Sequence, residues 1–496
     1  MLGCLIDIGS TFTKVRLIDL DSGELLGSDQ SPTTVDSDVM EGVEYGLGLV
    51  EEQSGVDRDD FDVRLASSSA AGGLRMVIVG FSPRYTLEAG NRAALGAGAK
   101  IVGDYTWFLD DDDLAEIESL APDLLLLTGG TDGGNHLALP KNAKKLADFE
   151  LEIPVIVAGN NDVSDEAEST LRDAGYPVTV AENVLESGDG ALNVTDARSR
   201  IRETFMTHIV EAKGISGVRD FVDDDIVPTP DAISHFCELL ATGTDESRGF
   251  GNLLAVDIGG ATTDVHTIGH GDPTRPYVRR AEELQEPFRK RTVEGDLGIR
   301  FNAPTIHSRF GSEAIQSRID RSIDEATIER YVSDVRESTE YIPENDTEVL
   351  IDMGLASVAT AAAAERHAGR LEQVEDNARE TFAGAGEAGE VTSDAVVEQD
   401  AGRTQRRLPT KQLQVGKDLT EFAAVLGTGG ILVNSPYTFD ILQNVQSDDA
   451  DPTVLLPINP DYYVDENYVM FACGLLAESY PEAALTTANR NLTRLS

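Results

Sequence analysis

Cysteine, tryptophan and lysine are all scarce in this chain. Its 496 residues include three cysteines (Cys4, Cys237 and Cys473), one tryptophan (Trp107), and nine lysines against 31 arginines. Widely spaced cysteines with no C-x-x-C pair exclude a disulfide framework and a cysteine zinc site. Burial as small apolar side chains is their expected fate, and Trp107 is expected in the core. No apolar run approaches the ~18 residues of a membrane span, and no signal peptide precedes the first strand. The expected location is the cytoplasm, with no membrane contact. Basic charge is the largest deficit. Forty Lys and Arg face 88 Asp and Glu, for a net charge of −48. Nucleic-acid binding needs a basic surface, and no basic stripe is visible.

The acidic excess is spread along the whole chain. It suits a soluble protein with a basic partner. It suits better a cytoplasm of high salt, where repulsion is screened within a few Å and a carboxylate-rich, lysine-poor surface stays hydrated. The apolar fraction of 41% supports real cores, and the length allows two to four domains.

Two segments roughly half the chain apart say nearly the same thing. One is Leu5-Ile6-Asp7-Ile8-Gly9-Ser10-Thr11-Phe12-Thr13-Lys14. The other is Leu254-Ala255-Val256-Asp257-Ile258-Gly259-Gly260-Ala261-Thr262-Thr263-Asp264-Val265. Each is an apolar run, then Asp, one apolar residue, Gly, and small hydroxyl-bearing residues. The pattern reads as a buried strand entering a hairpin. An Asp at the strand end suits a cation. The small residues let backbone N–H groups and hydroxyls approach phosphate oxygens. A single copy would read as an ordinary turn; two copies suggest two similar lobes gripping one nucleotide. A third element, Ala423 to Val433 around Gly427-Thr428-Gly429-Gly430, offers bare backbone to a flat nucleoside.

This order of loops resembles the ATPase superfamily of actin, Hsp70 and the sugar kinases. Lys14 has the spacing of their phosphate-contacting lysine, and Asp264 that of a second acid at the metal. The resemblance implies an α/β, two-lobed actin-like fold with duplicated ribonuclease-H-like domains and an α/β insertion. The expected divisions are a first lobe at 1–95, an insertion at 96–245 and a second lobe at 246–496. Val77 to Phe81 is expected to continue the first sheet, Asp165 to Ala174 to form a helix closed by Gly175, and Thr229-Pro230 to start another. A flexible acidic segment is expected at about 370–415, and a closing helix at Phe471 to Ser479. The loop Gly129-Gly130-Thr131-Asp132-Gly133-Gly134-Asn135 is read as a tight turn in preference to an anion site.

The chemistry expected is MgATP binding with slow hydrolysis. Asp7 and Asp257 would flank Mg²⁺ from opposite lobes, largely through its waters. Lys14 would meet phosphate charge. Gly9, Ser10, Thr11, Gly259, Gly260, Thr262 and Thr263 would line the phosphates, and Gly427, Thr428, Gly429 and Gly430 the nucleoside. Asp257 or Asp264 would orient the attacking water. Catalysis would be positioning and electrostatics, and cleft closure would turn hydrolysis into motion. His266 and His270 read as turn or solvent-facing residues, and Asp110 to Asp113 as a solvated loop or helix start.

With the 129–135 loop, the Asp257 and Gly427 loops, Ser68-Ser69-Ala70-Ala71-Gly72-Gly73-Leu74 and Thr229-Pro230 together, nearly the whole chain resembles the glutamate mutase accessory proteins, the MutL family (unrelated to the mismatch-repair proteins of that name). The resemblance is weakest at about 370–410. It implies an ATP-dependent chaperone, a slow ATPase, that reactivates methylaspartate (glutamate) mutase. That mutase interconverts glutamate and 3-methylaspartate on adenosylcobalamin, and the accessory protein would release damaged cobalamin by ATP-driven domain motion. The partners implied are the mutase subunits, with contact to their cobalamin and a homodimer both left open. The alternatives are a small-molecule kinase of the same superfamily and an iron–sulfur activator of a dehydratase. The cysteine contexts disfavour the second.

The charge of −48 generates a prediction. Folding should require molar KCl, read by circular dichroism against salt. Full stability in dilute buffer would contradict the high-salt reading.

Overall fold

Leu2–Ile8 (β1) is apolar except at Asp7, and its residues from Gly3 onward are buried because both faces of its sheet are covered. It turns into Phe12–Asp19 (β2) and Glu24–Pro32 (β3), an antiparallel meander. Helix Val39–Ser54 (α1) buries Val39, Val43, Leu47 and Val50, a helical stripe of i, i+3 and i+4 steps. Val63–Ser68 (β4) then pairs parallel to β1. The computed structural model describes all residues except 10–11, 35–38, 70–73, 150, 152, 186–191, 205–215, 282–285, 339–340, 374–396, 401–402, 407–411, 448–450 and 496.

The chain next builds a separate parallel sheet. Its elements are Arg75–Val79 (β5), Glu88–Gly96 (α2), Lys100–Tyr105 (β6), Asp111–Leu120 (α3), Leu124–Leu127 (β7), Ala138–Ala147 (α4), Val155–Val157 (β8), Ser164–Asp173 (α5) and Val178–Val180 (β9). The strand order is β6-β5-β7-β8-β9, all parallel, a doubly wound arrangement. Its strands are continuous apolar runs because each face is buried. Met76, Ile78, Leu124 and Leu126 face a core shared with the first lobe, while Val77, Val79, Leu125 and Leu127 face the opposite core. Thr195–Thr204 (α6) and Ser216–Phe221 (α7) follow. Val227–Pro228 (β10) then returns to pair parallel with β4, and Thr229–Thr242 (α8) leads away.

Strand pairing therefore divides the chain differently from 95 and 245. Val77 to Val79 lies in the inserted sheet and does not continue the first one, because a run apolar on both sides needs neighbours on both faces. α8 belongs with the first lobe, since β10 extends that lobe's sheet. The 129–135 loop is tied to the segments that follow β8 and β9. Asp132 accepts from Asn161 and Asn183, and Asn135 caps α4.

The second lobe repeats the first. Leu253–Ile258 (β11) and Thr263–Ile268 (β12) form a hairpin, and after Val278–Arg280 (β13), Arg289–Glu294 (β14) pairs antiparallel to β12. Helices Ala303–Gln316 (α9), Glu325–Glu337 (α10) and Asp346–His367 (α11) cover one face. Short strands Arg370–Gln373 (β15), Val397–Asp400 (β16), Arg403–Arg406 (β17) and Gln412–Val415 (β18) follow, then Ala424–Thr428 (β19). Next come Gly430–Asn434 (α12), Thr438–Leu442 (α13), Asp461–Asp465 (β20), Met470–Leu476 (α14), Pro481–Asn491 (α15) and Leu492–Leu495 (β21). The sheet order is β14-β12-β11-β19-β20-β21, against β3-β2-β1-β4-β10 in the first lobe. Three antiparallel strands followed by two parallel ones, used twice and extended in the second lobe by the antiparallel β21, is the duplicated ribonuclease-H-like, actin-like architecture expected from the sequence.

Three local expectations change. β18 pairs with both β15 and β13, so the ends of the 370–415 segment are strands; much of its middle lies outside the described residues. The chain closes with two helices and a strand, because Pro481 starts a new helix after α14. α11 is 22 residues long, with an 18-residue stretch of mean hydropathy 1.3 that is 78% buried, so it is long and apolar enough to cross a membrane. Here it forms the core of the second lobe.

The lobes meet through α8 and α14. Ile233, Phe236 and Leu240 share one core with Val469, Phe471 and Leu476, and with Leu5 and Ala255 of the two sheets. The helices cross at Gly474, where a Cβ would lie 2.1 Å from the Ala232 carbonyl oxygen. Gly474→Val should cost at least about 2–3 kcal/mol by overpacking. Gly48→Ala, on the exposed side of α1 with nothing within 4 Å of the added methyl, should gain ~0.5–1 kcal/mol. Thermal denaturation in molar KCl distinguishes them. Equal midpoints would contradict the close crossing.

Candidate functional site

The two Asp hairpins are built alike. Asp7 lies opposite Lys14, and Asp257 lies opposite Asp264. The turn is closed in one by Gly9 N–H to the Phe12 carbonyl at 3.0 Å, and in the other by Gly259 N–H to the Thr262 carbonyl at 2.9 Å. A Cβ on Gly9 would sit 2.6 Å from the Phe12 oxygen, so that turn needs glycine. On the parallel neighbour strand, Ser67 is level with Asp7 and Thr428 with Asp257.

The two aspartates differ in their surroundings. Asp7 is 2% exposed and saturated. Lys14 Nζ donates to Oδ2 at 2.8 Å, while the Ser67 and Thr229 hydroxyls donate to Oδ1 at 3.1 and 2.5 Å. Asp257 accepts no hydrogen bond among the described residues. Desolvation pushes its pKa up to about 7, reinforced by the negative charges of Asp264 and Asp7 and opposed by Lys14 and Arg291. Charges from both lobes thus converge on one point. Asp264 is held by Arg291, whose Nε and Nη2 donate to Oδ1 at 2.9 and 2.6 Å, and by the Thr262 hydroxyl at 3.1 Å.

The loop after Asp257 has its carbonyls tied back. Those of Gly259 and Gly260 accept from Ile299, Arg300 and Phe301 N–H groups, and that of Ala261 accepts from the Asn302 amide. No hydrogen bond from the Gly260 or Ala261 N–H is found among the described residues. Free N–H groups on a small-residue turn suit an anion. Thr263 points elsewhere: its hydroxyl donates to the Leu297 carbonyl at 2.8 Å. Ser10 and Thr11 lie outside the described residues. The third loop abuts the second. Gly429 has φ 101°, and a Cβ there would lie 2.3 Å from the Ile258 oxygen. Gly427 is buried against Leu432 and Leu442, and the Thr428 hydroxyl donates to Asp465 at 3.2 Å. Gly430 is exposed beside the Tyr468 hydroxyl.

Ser67, Thr229, Arg291, Asp465 and Tyr468 were not singled out by spacing. Asp465 caps α14, accepting from the Val469 and Met470 N–H groups. Tyr468, at φ 50°, puts its ring 4.9 Å from Lys14 Nζ, and burial followed by the charges of Asp257 and Asp465 raises its hydroxyl pKa. Only Thr229 carried a signal, as the first residue of a helix directly after a strand. Two other readings are corrected. Trp107 is 56% exposed, because φ 66° turns its ring out to pack edge-on against Phe81. His266 is 1% exposed on β12, with both ring nitrogens unpartnered and its pKa pushed down to about 3 by burial and then by Arg291. The cysteines are buried, and Asp110 caps α3 with a capping box.

Magnesium fits these residues in one way. Among the described residues, no group of three or more His, Cys, Asp or Glu could hold a metal on its own. A hard cation that keeps its waters and takes one or two carboxylates fits at Asp257, whose charge lacks a counterion, with Asp7 across the cleft.

The strand order of the two sheets gives the chain an actin-like fold. The chain belongs to the MutL family: the family profile, described as MutL protein, matches residues 4–387 and 388–492. Protein MutL of Clostridium tetanomorphum is 39% identical over 492 residues, covering 99% of each chain. Among solved structures, a nucleotide-free acetone carboxylase covers 96% of this chain and 70% of its own at 12% identity and TM-score 0.40. Xylulose kinase from Bifidobacterium adolescentis covers 100% and 96% at 13% identity and TM-score 0.32. At such scores the fold assignment rests on the strand order.

Asp257 yields a stability prediction. Its folded pKa lies above the unfolded value, so between about pH 4 and pH 7 the native state binds the extra proton and wild-type stability falls as pH rises. Asp257→Asn should therefore stabilise the metal-free protein by about 1–3 kcal/mol at pH 8, after screening by salt is allowed for. The gain should shrink towards pH 5. Denaturation at both pH values in molar KCl checks this. A variant less stable than wild type at pH 8 would contradict the uncompensated charge.

Proposed function

We propose that the chain binds MgATP between its lobes, hydrolyses it slowly, and uses the resulting motion to reactivate an adenosylcobalamin-dependent methylaspartate (glutamate) mutase. The observation that carries the nucleotide reading is the pair of aspartate hairpins facing one another from opposite lobes. Lys14 and the free N–H groups of Gly260 and Ala261 hold phosphate oxygens. Mg²⁺, when bound, neutralises charge on the phosphates. Asp257, whose carboxylate accepts no hydrogen bond from the described residues, orients the attacking water and accepts its proton. Asp264 is engaged with Arg291, so the base role falls to Asp257. The partner is drawn from the resemblance to the glutamate mutase accessory proteins, which family membership supports. Release of damaged cobalamin from the mutase is the event that lobe motion would drive.

A base near the terminal phosphate serves a kinase as well, so a small-molecule kinase remains the second reading. One assay separates them. ATP hydrolysis is followed in molar KCl with and without mutase subunits carrying inactivated cobalamin, alongside mutase activity. ATP-dependent recovery of activity, lost by at least tenfold in Asp7→Ala and Asp257→Ala, is the expected result. Brisk hydrolysis with no recovery would move the weight to a kinase. Unchanged hydrolysis in either variant would sink the site assignment.

A further inference from the structure

The turn between α2 and β6 brings the inserted domain against Arg291 of β14. Arg291 is 7% exposed and makes contacts in two directions. Nε and Nη2 hold Asp264, while Nη1 donates to the carbonyls of Ala99 at 3.1 Å and Leu95 at 3.4 Å. The Leu95 carbonyl lies in the last turn of α2 and also accepts from the Gly98 N–H, and the Ala99 carbonyl lies just past the helix end, where the helix dipole attracts a cation. From the same turn, half-buried Lys100 places its amine 3.5 Å from where a Cβ on Gly295 would lie. Asp264 is within electrostatic range of that amine. No hydrogen bond or ion pair to the Lys100 amine is found among the described residues. Lys100 is one of nine lysines in the chain, and the Gly295 carbonyl shares the Asn302 amide with the carbonyl of Ala261.

The far end of α2 leads to the sole tryptophan. The Thr86 hydroxyl, in the turn that opens α2, accepts from the Phe81 and Ser82 N–H groups at 2.8 and 3.0 Å. The Trp107 N–H donates to the Phe81 carbonyl at 3.2 Å, and the two rings pack edge to face at 5.0 Å. Trp107 is thus joined through Phe81 to the turn that opens α2.

We propose that Arg291 and Lys100 sense the terminal phosphate of the nucleotide and pass its presence to the inserted domain through α2. This rests on the nucleotide reading above. A terminal phosphate against the Gly260 and Ala261 N–H groups brings negative charge beside Asp264. Arg291 and Lys100 are the cations placed to answer it, and any turn of Arg291 towards phosphate loosens its hold on α2. ADP, which lacks that phosphate, leaves the link intact. Arg291 is a positioning residue in this scheme, because it acts through Asp264 and α2. By linkage, whatever binds the inserted domain must in turn change ATP affinity.

The test uses the full chain in molar KCl and Mg²⁺, with nucleotide binding followed by calorimetry and Trp107 emission read at saturation. Wild type should give different emission with a non-hydrolysable ATP analogue and with ADP. Arg291→Lys and Lys100→Met should shrink that difference at least fivefold, and Lys100→Arg should restore it. The partly exposed Lys100 keeps the test open should the buried Arg291 variant fail to fold. Equal wild-type emission with both nucleotides bound, or a full difference retained in Lys100→Met, would overturn the sensor while leaving the nucleotide site standing. Failure of either nucleotide to bind would overturn both.

Discussion

Three carboxylates, Asp7, Asp257 and Asp264, gather at the floor of one cleft in a chain of net charge −48. Low solvation makes each costly unless a cation or donor meets it. Asp7 is met by Lys14, Ser67 and Thr229, and Asp264 by Arg291 and Thr262. Asp257 is left to repel its neighbours. The imbalance lies at the point where both lobes contribute a turn with small residues. On the function proposed above, a magnesium-bound polyphosphate would relieve it, the cation answering Asp257 and the phosphates answering Lys14 and the loop N–H groups. The rest of the molecule serves to hold these charges in register.

Duplication does that holding. In each lobe the Asp-bearing strand is central, with an antiparallel partner carrying the opposing residue and a parallel partner carrying a hydroxyl. The repeats diverge where function needs asymmetry: Lys14 in one hairpin is Asp264 in the other. The Ser67 hydroxyl bonds the cleft aspartate, while that of Thr428 turns to the helix-capping Asp465. Crossing of α8 and α14 at Gly474 sets the pivot. Arg16 ties the lobes again through its bond to the Asn467 carbonyl at 2.9 Å.

Much of this was legible because it is local. A strand ending in Asp-x-Gly writes itself in ten consecutive residues, and its repetition pointed to two lobes before any pairing was known. The helix start at Thr229-Pro230, the Gly175 helix stop and the buried cysteines are local in the same sense. What escaped the sequence depends on distant partners. Arg291 looks like any arginine on a strand until the α2 carbonyls arrive from nearly 200 residues away. Val77 to Val79 looks the same in either sheet, because an apolar run does not say which strands flank it. Trp107 was placed in the core on hydrophobicity alone, whereas a left-handed backbone turned it outward. His266 was misjudged because nearby glycines suggested a turn, although they lie just past the end of β12.

The most direct test of the central claim is a crystal structure grown from molar KCl with Mg²⁺ and a non-hydrolysable ATP analogue. The account predicts phosphates lying between the Gly9–Lys14 and Gly259–Thr262 turns, with a water-clad Mg²⁺ between Asp7 and Asp257 and the nucleoside at Gly429–Gly430. Nucleotide bound elsewhere, or a cleft holding neither phosphate nor metal at saturating concentration, would contradict it.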